Sequence, residues 1–326
     1  MTEIKQEQFL WDKEFNGFSS SFLSENGGLK ILWWNVQYGV TNRLLEASMS
    51  QRALDLNLRM LVSSQYAPDV IALGEYSDDS FSKETNQLLN QRYPFSLKSF
   101  VPYNPDTPER GVMVYSKHPL RLVNSAHLDY YPLGMQDQGQ IQDYKQKWAK
   151  GFPPERFFPR TYLNYEIDKD GKKVHLVPFH ALIHAEKLML DSGGGFFTTL
   201  YLKLTIAFGS ENPLIYQLKR FRKHLEGDFG EKLDQFPLVI LGDLNLPRKF
   251  SIFTTKPYKV ISQALVDPFE NSEEVTWPMP SSEEFKKFDL RMQFDHMLVN
   301  SKVSVSTSQI LPFKGSDHAA IYTLVN

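Results

Sequence analysis

The chain has 326 residues, 41% of them hydrophobic, enough apolar material to bury a large core as one big domain or two ordinary ones. Its 36 basic residues nearly balance 38 acidic ones, for a net charge of −2. That argues against a protein that holds nucleic acid by bulk charge, and leaves room for an enzyme that engages a few phosphates locally. Cysteine is absent, which excludes disulfides, thiolate metal sites and a cysteine nucleophile, and suits a reducing compartment.

The opening "MTEIKQEQFLWDKEF" mixes charges with apolar residues, so no Sec-type signal peptide is expected. No run approaches the roughly 18 uncharged apolar residues of a membrane helix. The expectation is a cytoplasmic protein, with export by a route lacking an N-terminal signal left open. Residues 1–28 read as an N-terminal extension and 29–326 as one domain, with insertions at about 129–159 and 183–212.

In chain order, "LKILWWNV" reads as a strand. Between Asn42 and Gln65, Leu44, Leu45, Leu54, Leu58 and Leu61 recur amid polar residues, which predicts an amphipathic helix. "DVIALGE" and "GVMVYSK" read as buried strands, and "RTYLNYEI", "DKDGKK" and "VHLVPFHA" as a hairpin around a glycine-containing turn. Asp129–Pro159, rich in Gln, Pro and aromatics, reads as a long loop, and Ile183–Asn212 holds the apolar run "GGGFFTTLYLKLTIAFG". A helix around Leu214–Leu225 follows, with Lys219, Arg220, Arg222 and Lys223 on its solvated face. "PLVIL", "QFDHMLVN" and "DHAAIYTLV" then read as strands. Strands dominate, helices intervene and one hairpin is clear, so the expected class is an α/β sandwich of mixed sheets.

The strands end on polar residues: Asn35, Glu75, His180, then Asp243 and Asn245 in "GDLN". A later strand carries Asp295, and the last begins with Ser316, Asp317 and His318. Strand-end loops on a rigid scaffold are where sites are commonly built. "GDLN" alone supports two readings. It is a turn, because Gly, Asp and Asn favour turns, or it aims a carboxylate and an amide from one strand face, since residues two apart share a side.

Taken together, "WWNVQYG", "PDVIALGEY", "ERGVMVYSK", "VHLVPFHA", "VILGDLN", "QFDHMLVN" and "GSDHAAI" resemble the endonuclease/exonuclease/phosphatase superfamily, from about Leu29 to the C-terminus. The resemblance implies the deoxyribonuclease I-like fold, a four-layered α/β/β/α sandwich with two facing mixed β-sheets and the site at one rim. It implies Asn35, Glu75 and Asp317 as metal-site residues, the metal being Mg²⁺, with Mn²⁺ or Ca²⁺ as substitutes. Asp243 and Asn245 match the pair that orients or deprotonates water and bonds the phosphate. His318 matches the catalytic histidine, with Asp295 orienting it. His180 matches a second histidine with Glu109 as its carboxylate partner, and Arg160 a phosphate-contacting arginine. The family's usual Gln before the metal glutamate is here Gly74, and its usual Asn-Thr-His is here "VPFH".

The implied reaction is hydrolysis of a phosphate ester by in-line water attack, and the substrate is the open question. A nuclease is the first expectation, because Glu109, His180 and Arg160 fall where the nuclease-like branch has them. Arg248 and Lys249 after "GDLNLP", with Lys145, Lys147 and Lys150 in the first insertion, are candidate nucleic-acid contacts. A phosphoinositide or sphingomyelin-type lipid phosphoesterase is the alternative, with Phe196, Phe197 and Tyr201 offering peripheral membrane contact; burial against the protein's own sheet is favoured for that run. The "WCDR" signature of phosphoinositide phosphatases is absent. A non-catalytic binding module ranks third, since every central acid, amide and histidine is in place.

Overall fold

The computed structural model describes residues 21–24, 27–36, 47–101, 110–148, 160–181, 212–245, 248–250, 253–270, 276, 293–311, 313, 315–316 and 318–326. The apolar run 193–209, Lys150, Glu109 and Asp317 lie outside them, as does the second insertion up to residue 211.

The first sheet holds β1 (Leu29–Asn35), β2 (Val70–Tyr76), β3 (Phe95–Val101), β4 (Arg110–Ser116), β12 (Val305–Leu311) and β13 (Ala320–Val325), in the order β12-β13-β1-β2-β4-β3. The second holds β5 (Leu120–Leu128), β6 (Arg160–Lys169), β7 (Lys172–His180), β8 (Leu238–Asp243) and β11 (Asp295–Val299), in the order β11-β8-β7-β6-β5. A two-stranded ribbon of β9 (Lys249–Phe250) and β10 (Phe253–Thr254) stands apart. Each large sheet contains a parallel pair, β1 with β2 and β7 with β8, among antiparallel neighbours.

Helices α1 (Ala47–Ser63), α2 (Lys83–Arg92), α3 (Gln138–Trp148), α4 (Pro213–Phe229) and α5 (Lys256–Ser262) complete the described elements. Leu54, Leu58 and Leu61 of α1 pack with Leu32, Trp34 and Ile71 on the outer face of the first sheet. Leu214, Leu218, Phe221 and Leu225 of α4 pack with Val177, Phe179 and Ile240 on the outer face of the second. Between the sheets lie Ile31, Trp33, Val70, Ala72, Leu176, Val239, Leu241 and Met297. These clusters make the four layers that the resemblance implies. They also explain the near-continuous apolar run of β1, which is paired on both edges and covered on both faces.

Three expectations change. Within 129–159 the structure forms α3, because Asp137 accepts from the Gln140 amide at 2.8 Å, Ile141 is buried and Tyr144 meets Tyr216 of α4 edge-on. Arg222 of α4 is buried rather than solvated, held by Glu226 at 2.7 Å and by the Gln263 and Glu231 carbonyls. Strand β12 intervenes between β11 and β13, so Asp295 lies on the third strand from the end. The N-terminal turn Ser21–Ser24 also joins the body, its Phe22 buried against Tyr322.

At the end where β1 and β2 begin, Lys169 of the second sheet reaches across to Asp69 at 3.0 Å and to the Gly28 carbonyl. At the other end the backbones of β7 and β8 come very close. A Cβ on Gly242 would stand 1.8 Å from the Phe179 carbonyl oxygen, so the glycine of "GDLN" is a steric requirement. Gly242→Ala is expected to cost about 3 kcal/mol or more, measured by urea unfolding. Gly227→Ala, on an exposed stretch of α4 with nothing within 4 Å, is expected to stabilise by about 0.5–1 kcal/mol.

Candidate active site

Among the described residues, the strand ends singled out in the sequence meet at one rim. The parallel pairs β1/β2 and β7/β8 both run toward it: β1 finishes at Asn35, β7 at His180 and β8 at Asp243, and β2 carries Glu75 one residue before its end at Tyr76. Antiparallel β11 starts there at Asp295, directly opposite Asp243. The residues Ile31, Trp33, Val239, Leu241, Met297 and Val299 face the inter-sheet core. Alternation therefore carries Asn35, Asp243 and Asp295 to the same inner side. Leu176 does the same for His180.

Glu75, Asn245 and His318 arrive by other means. The β2/β4 register shifts between Leu73 and Tyr76, and Glu75 adopts φ 50°, a left-handed kink that reverses the side it would otherwise face. Strand β8 ends at Asp243, so the pleat does not reach Asn245, contrary to the simple alternation argument. Instead the Asn245 amide donates to Asp243 Oδ1 at 2.6 Å and its backbone turns at φ 49°. Its side chain then donates to the Ala181 carbonyl at 3.1 Å. The two readings of "GDLN" are therefore compatible: an Asx turn brings Asn245 to the same rim as Asp243. His318 precedes β13 and is placed by Ser316, whose hydroxyl donates to the Asn35 carbonyl at 2.6 Å and accepts from the His318 amide at 3.1 Å.

The resulting constellation is nearly closed to water, with Asp295 0% and Asp243 1% exposed. His318 Nδ1–H donates to Asp295 Oδ2 at 2.7 Å, which turns Nε2 toward Asp243 Oδ2, 3.8 Å away. His180 Nε2 lies at the same 3.8 Å from that oxygen, and 3.2 Å from Glu75 Oε1. Asn35 donates to Asp243 Oδ2 at 3.0 Å and, more weakly, to Glu75 Oε1 at 3.4 Å. Asp243 Oδ2 is therefore the hub, with two imidazoles and an amide around one carboxylate oxygen. Burial pushes the Asp243 carboxyl well above its ordinary value; Asp295 and Glu75 add to this, while His318 and the Asn245 amide pull it back.

Residues that the sequence did not flag complete the frame. Thr276 Oγ1 accepts from the amides of Phe294 and Asp295, both at 2.9 Å, and its carbonyl accepts from Ala319 at 2.8 Å. Trp33 Nε1–H donates to Asp295 Oδ1 at 2.9 Å, and Trp34 Nε1–H to the His318 carbonyl at 3.0 Å. The doubled tryptophan ahead of Asn35 was the only available signal for these.

The remaining candidates divide. Arg160 opens β6, whose first residue pairs with Leu128. Arg248, expected as a substrate contact, is instead buried in the loop after β8, giving Nη1–H to Asp267 at 3.2 Å and to the Phe269 carbonyl at 2.6 Å. Tyr258 adds its hydroxyl to the same Asp267 oxygen at 2.6 Å. That network makes Arg248 a strut of the loop.

The family model for the Endonuclease/Exonuclease/phosphatase family matches residues 32–318, spanning both sheets and every site residue above. This chain belongs to that family. Its members are generally phosphate-ester hydrolases that use a divalent metal. No curated protein matches the sequence. Among solved structures, the human Nocturnin catalytic domain with bound sulfate is similar at 14% identity and a TM-score of 0.57, over 93% of this chain and 95% of that one. A mannosyl-6-phosphatase of Bacteroides thetaiotaomicron gives 12% and 0.57 over 91% and 99%. D. rerio TDP2 complexed with a single-strand DNA product gives 16% and 0.52 over 92% and 100%. At such identities these likenesses establish the fold. Among the described residues no helix is long and apolar enough to cross a membrane.

The raised Asp243 carboxyl has a measurable consequence. In the folded state it holds its proton to higher pH than in the unfolded chain, so its contribution makes stability fall as pH rises above the ordinary value of 3.8. In EDTA, urea midpoints of the wild type are expected to fall more steeply with rising pH above 3.8 than those of Asp243→Asn. A divalent cation, binding the ionised form, is expected to flatten the wild-type curve. Parallel curves in EDTA would refute the burial argument.

Proposed function

We propose that this chain is a magnesium-dependent phosphodiesterase, specifically a nuclease of the endonuclease-like kind, acting by in-line attack of water. The observation that carries the reading is the convergence of Asp243, Asn245, His180 and the Asp295–His318 pair on one buried rim beside Asn35 and Glu75. The deposit of negative charge there suits a hard cation. Glu75, His180 and Asp243 offer ligand atoms within 4.8 Å of one another, as do Asp243, Asp295 and His318. Burial with two neighbouring carboxylates disfavours the charge on Asp243, a cost that a cation relieves. Asn35, Glu75 and Asp317 are the residues that would hold Mg²⁺, with Mn²⁺ or Ca²⁺ as substitutes. Bound there, the cation would neutralise charge on non-bridging phosphate oxygens.

The protein's own groups divide the remaining work. Asp243 and Asn245 orient the attacking water and bond the phosphate, with Asp243 in reach of a proton from that water. His318, its Nδ1–H committed to Asp295, presents Nε2 to the reacting centre. An imidazole held in one tautomer by a buried carboxylate is suited to exchange a proton with, or stabilise charge on, the phosphoryl group in the transition state. His180 flanks Asp243 on the other side, with Glu109 as its proposed partner, and Arg160 contacts the phosphate. That the family fold accommodates a DNA product in TDP2 supports a nucleic-acid substrate here.

Nicking of supercoiled plasmid is the test. The wild type with Mg²⁺ is expected to nick; EDTA and Asp243→Ala are expected to abolish it. His318→Ala is expected to lower kcat by about 10²- to 10⁴-fold. A folded, Mg²⁺-supplied protein that leaves the plasmid intact would redirect the assignment to a smaller phosphate ester.

A further inference from the structure

Two oddities of the sequence, a doubled tryptophan before Asn35 and a glycine before Glu75, meet in the structure. Trp33 and Trp34 are consecutive in β1, so they leave the strand on opposite faces. Trp34 enters the outer cluster and Trp33 the inter-sheet core, and both are fully buried. From the core, Trp33 crosses from the first sheet to the second and gives its indole N–H to Asp295 Oδ1 at 2.9 Å. Asn35↔Gly74 and Trp34↔Leu73 pair in the β1/β2 ladder, so Gly74 lies beside this indole. A Cβ on Gly74 would stand 2.6 Å from Trp33 Cη2 and 2.8 Å from Cζ2. The slot that the family's usual glutamine would need is filled by the indole.

Among the described residues, the Asp295 carboxylate takes one hydrogen bond on each oxygen, Trp33 on Oδ1 and His318 on Oδ2. A carboxylate held by one donor rotates about its terminal torsion, which is broad and roughly two-fold. A donor on each oxygen fixes its plane. We infer that Trp33 is a positioning residue: its indole N–H, admitted by Gly74, locks the Asp295 carboxylate and through it the ring of His318, keeping Nε2 aimed at Asp243. The inference rests on the reading of His318 as a group that acts on the phosphate. Trp33 touches no reacting atom, and it acts through Asp295 alone. Packing by itself would not govern the exchange of the His318 Nδ1 proton, which is the distinction that a test can use.

Trp33→Phe keeps an aromatic ring in the inter-sheet core and removes the donor, together with the Cη2–Cζ2 edge that lies over Gly74. On plasmid nicking, kcat is expected to fall about tenfold, the worth of one buried hydrogen bond, with KM within about twofold of wild type. In ¹⁵N-histidine-labelled protein, the downfield Nδ1–H proton of His318 is expected to be sharp in wild type and lost to exchange in Trp33→Phe. Unchanged kcat together with an unchanged His318 resonance would overturn the inference. Should Trp33→Phe not fold, Asp295→Ala in ¹⁵N-tryptophan-labelled protein decides. The Trp33 indole proton must then shift upfield while that of Trp34 stays in place, and an unmoved Trp33 resonance refutes the contact. If the wild type does not nick plasmid, the nuclease reading fails, and the two resonance measurements still judge the positioning role.

Discussion

Three carboxylates, Glu75, Asp243 and Asp295, and two imidazoles share a rim that water scarcely enters, and the rest of the structure answers to that constraint. Charge removed from water must be met by hydrogen bonds, opposite charge or a cation. The protein meets much of it through short, directed donors. Asn35 serves two carboxylates, Asn245 closes on Asp243, and Trp33 and His318 take the two oxygens of Asp295. The Asp243 carboxyl is still driven above its ordinary value, by burial first and then by Asp295 and Glu75. A site in this condition gains from a divalent ion, which members of the family generally use.

The sheets supply the frame. Each has a parallel pair whose strands finish at the rim, so four side chains arrive from strands fixed on both edges by ladders. Crossing ties hold the sheets face to face at both ends. Lys169 binds Asp69 and Gly28 at the far end, and the Trp33 indole binds Asp295 at the near one. Precision at the rim thus comes from rigid elements, which suits a reaction that depends on placing a water and a phosphate.

This division explains what was legible in the sequence. Asn35, His180, Asp243 and Asp295 sit on strands whose apolar alternation points them inward, so reading the strands finds them. Glu75, Asn245 and His318 reach the rim through a bulge, an Asx turn and a serine latch, so strand ends flagged them while alternation could not place them; their expected roles came from the ordered motifs of a known family. Thr276 was invisible because its role is to bridge the amides of Phe294 and Asp295 with Ala319, partners far along the chain. Arg248 was singled out for following "GDLN" closely; the structure commits its Nη1 to Asp267 and the Phe269 carbonyl, partners that its place in the sequence did not signal. The strands β3, β5 and β12 were missed for a common reason. Each has a partly exposed, polar-interrupted pattern on the outer part of its sheet, where one edge or face carries little apolar signal. Helix α3 escaped notice because its Gln-rich sequence is anchored by little more than Ile141, Tyr144 and the Asp137 cap.

Glu75 stands in left-handed backbone, a conformation that an L residue with a long side chain adopts at a cost and that glycine adopts freely. Folding and chemistry therefore pull this position in opposite directions. Glycine at 75 would relax the strand end and, in the same step, remove the carboxylate that Asn35 and His180 meet. The kink is what turns that carboxylate to the rim, at the expense of backbone ease.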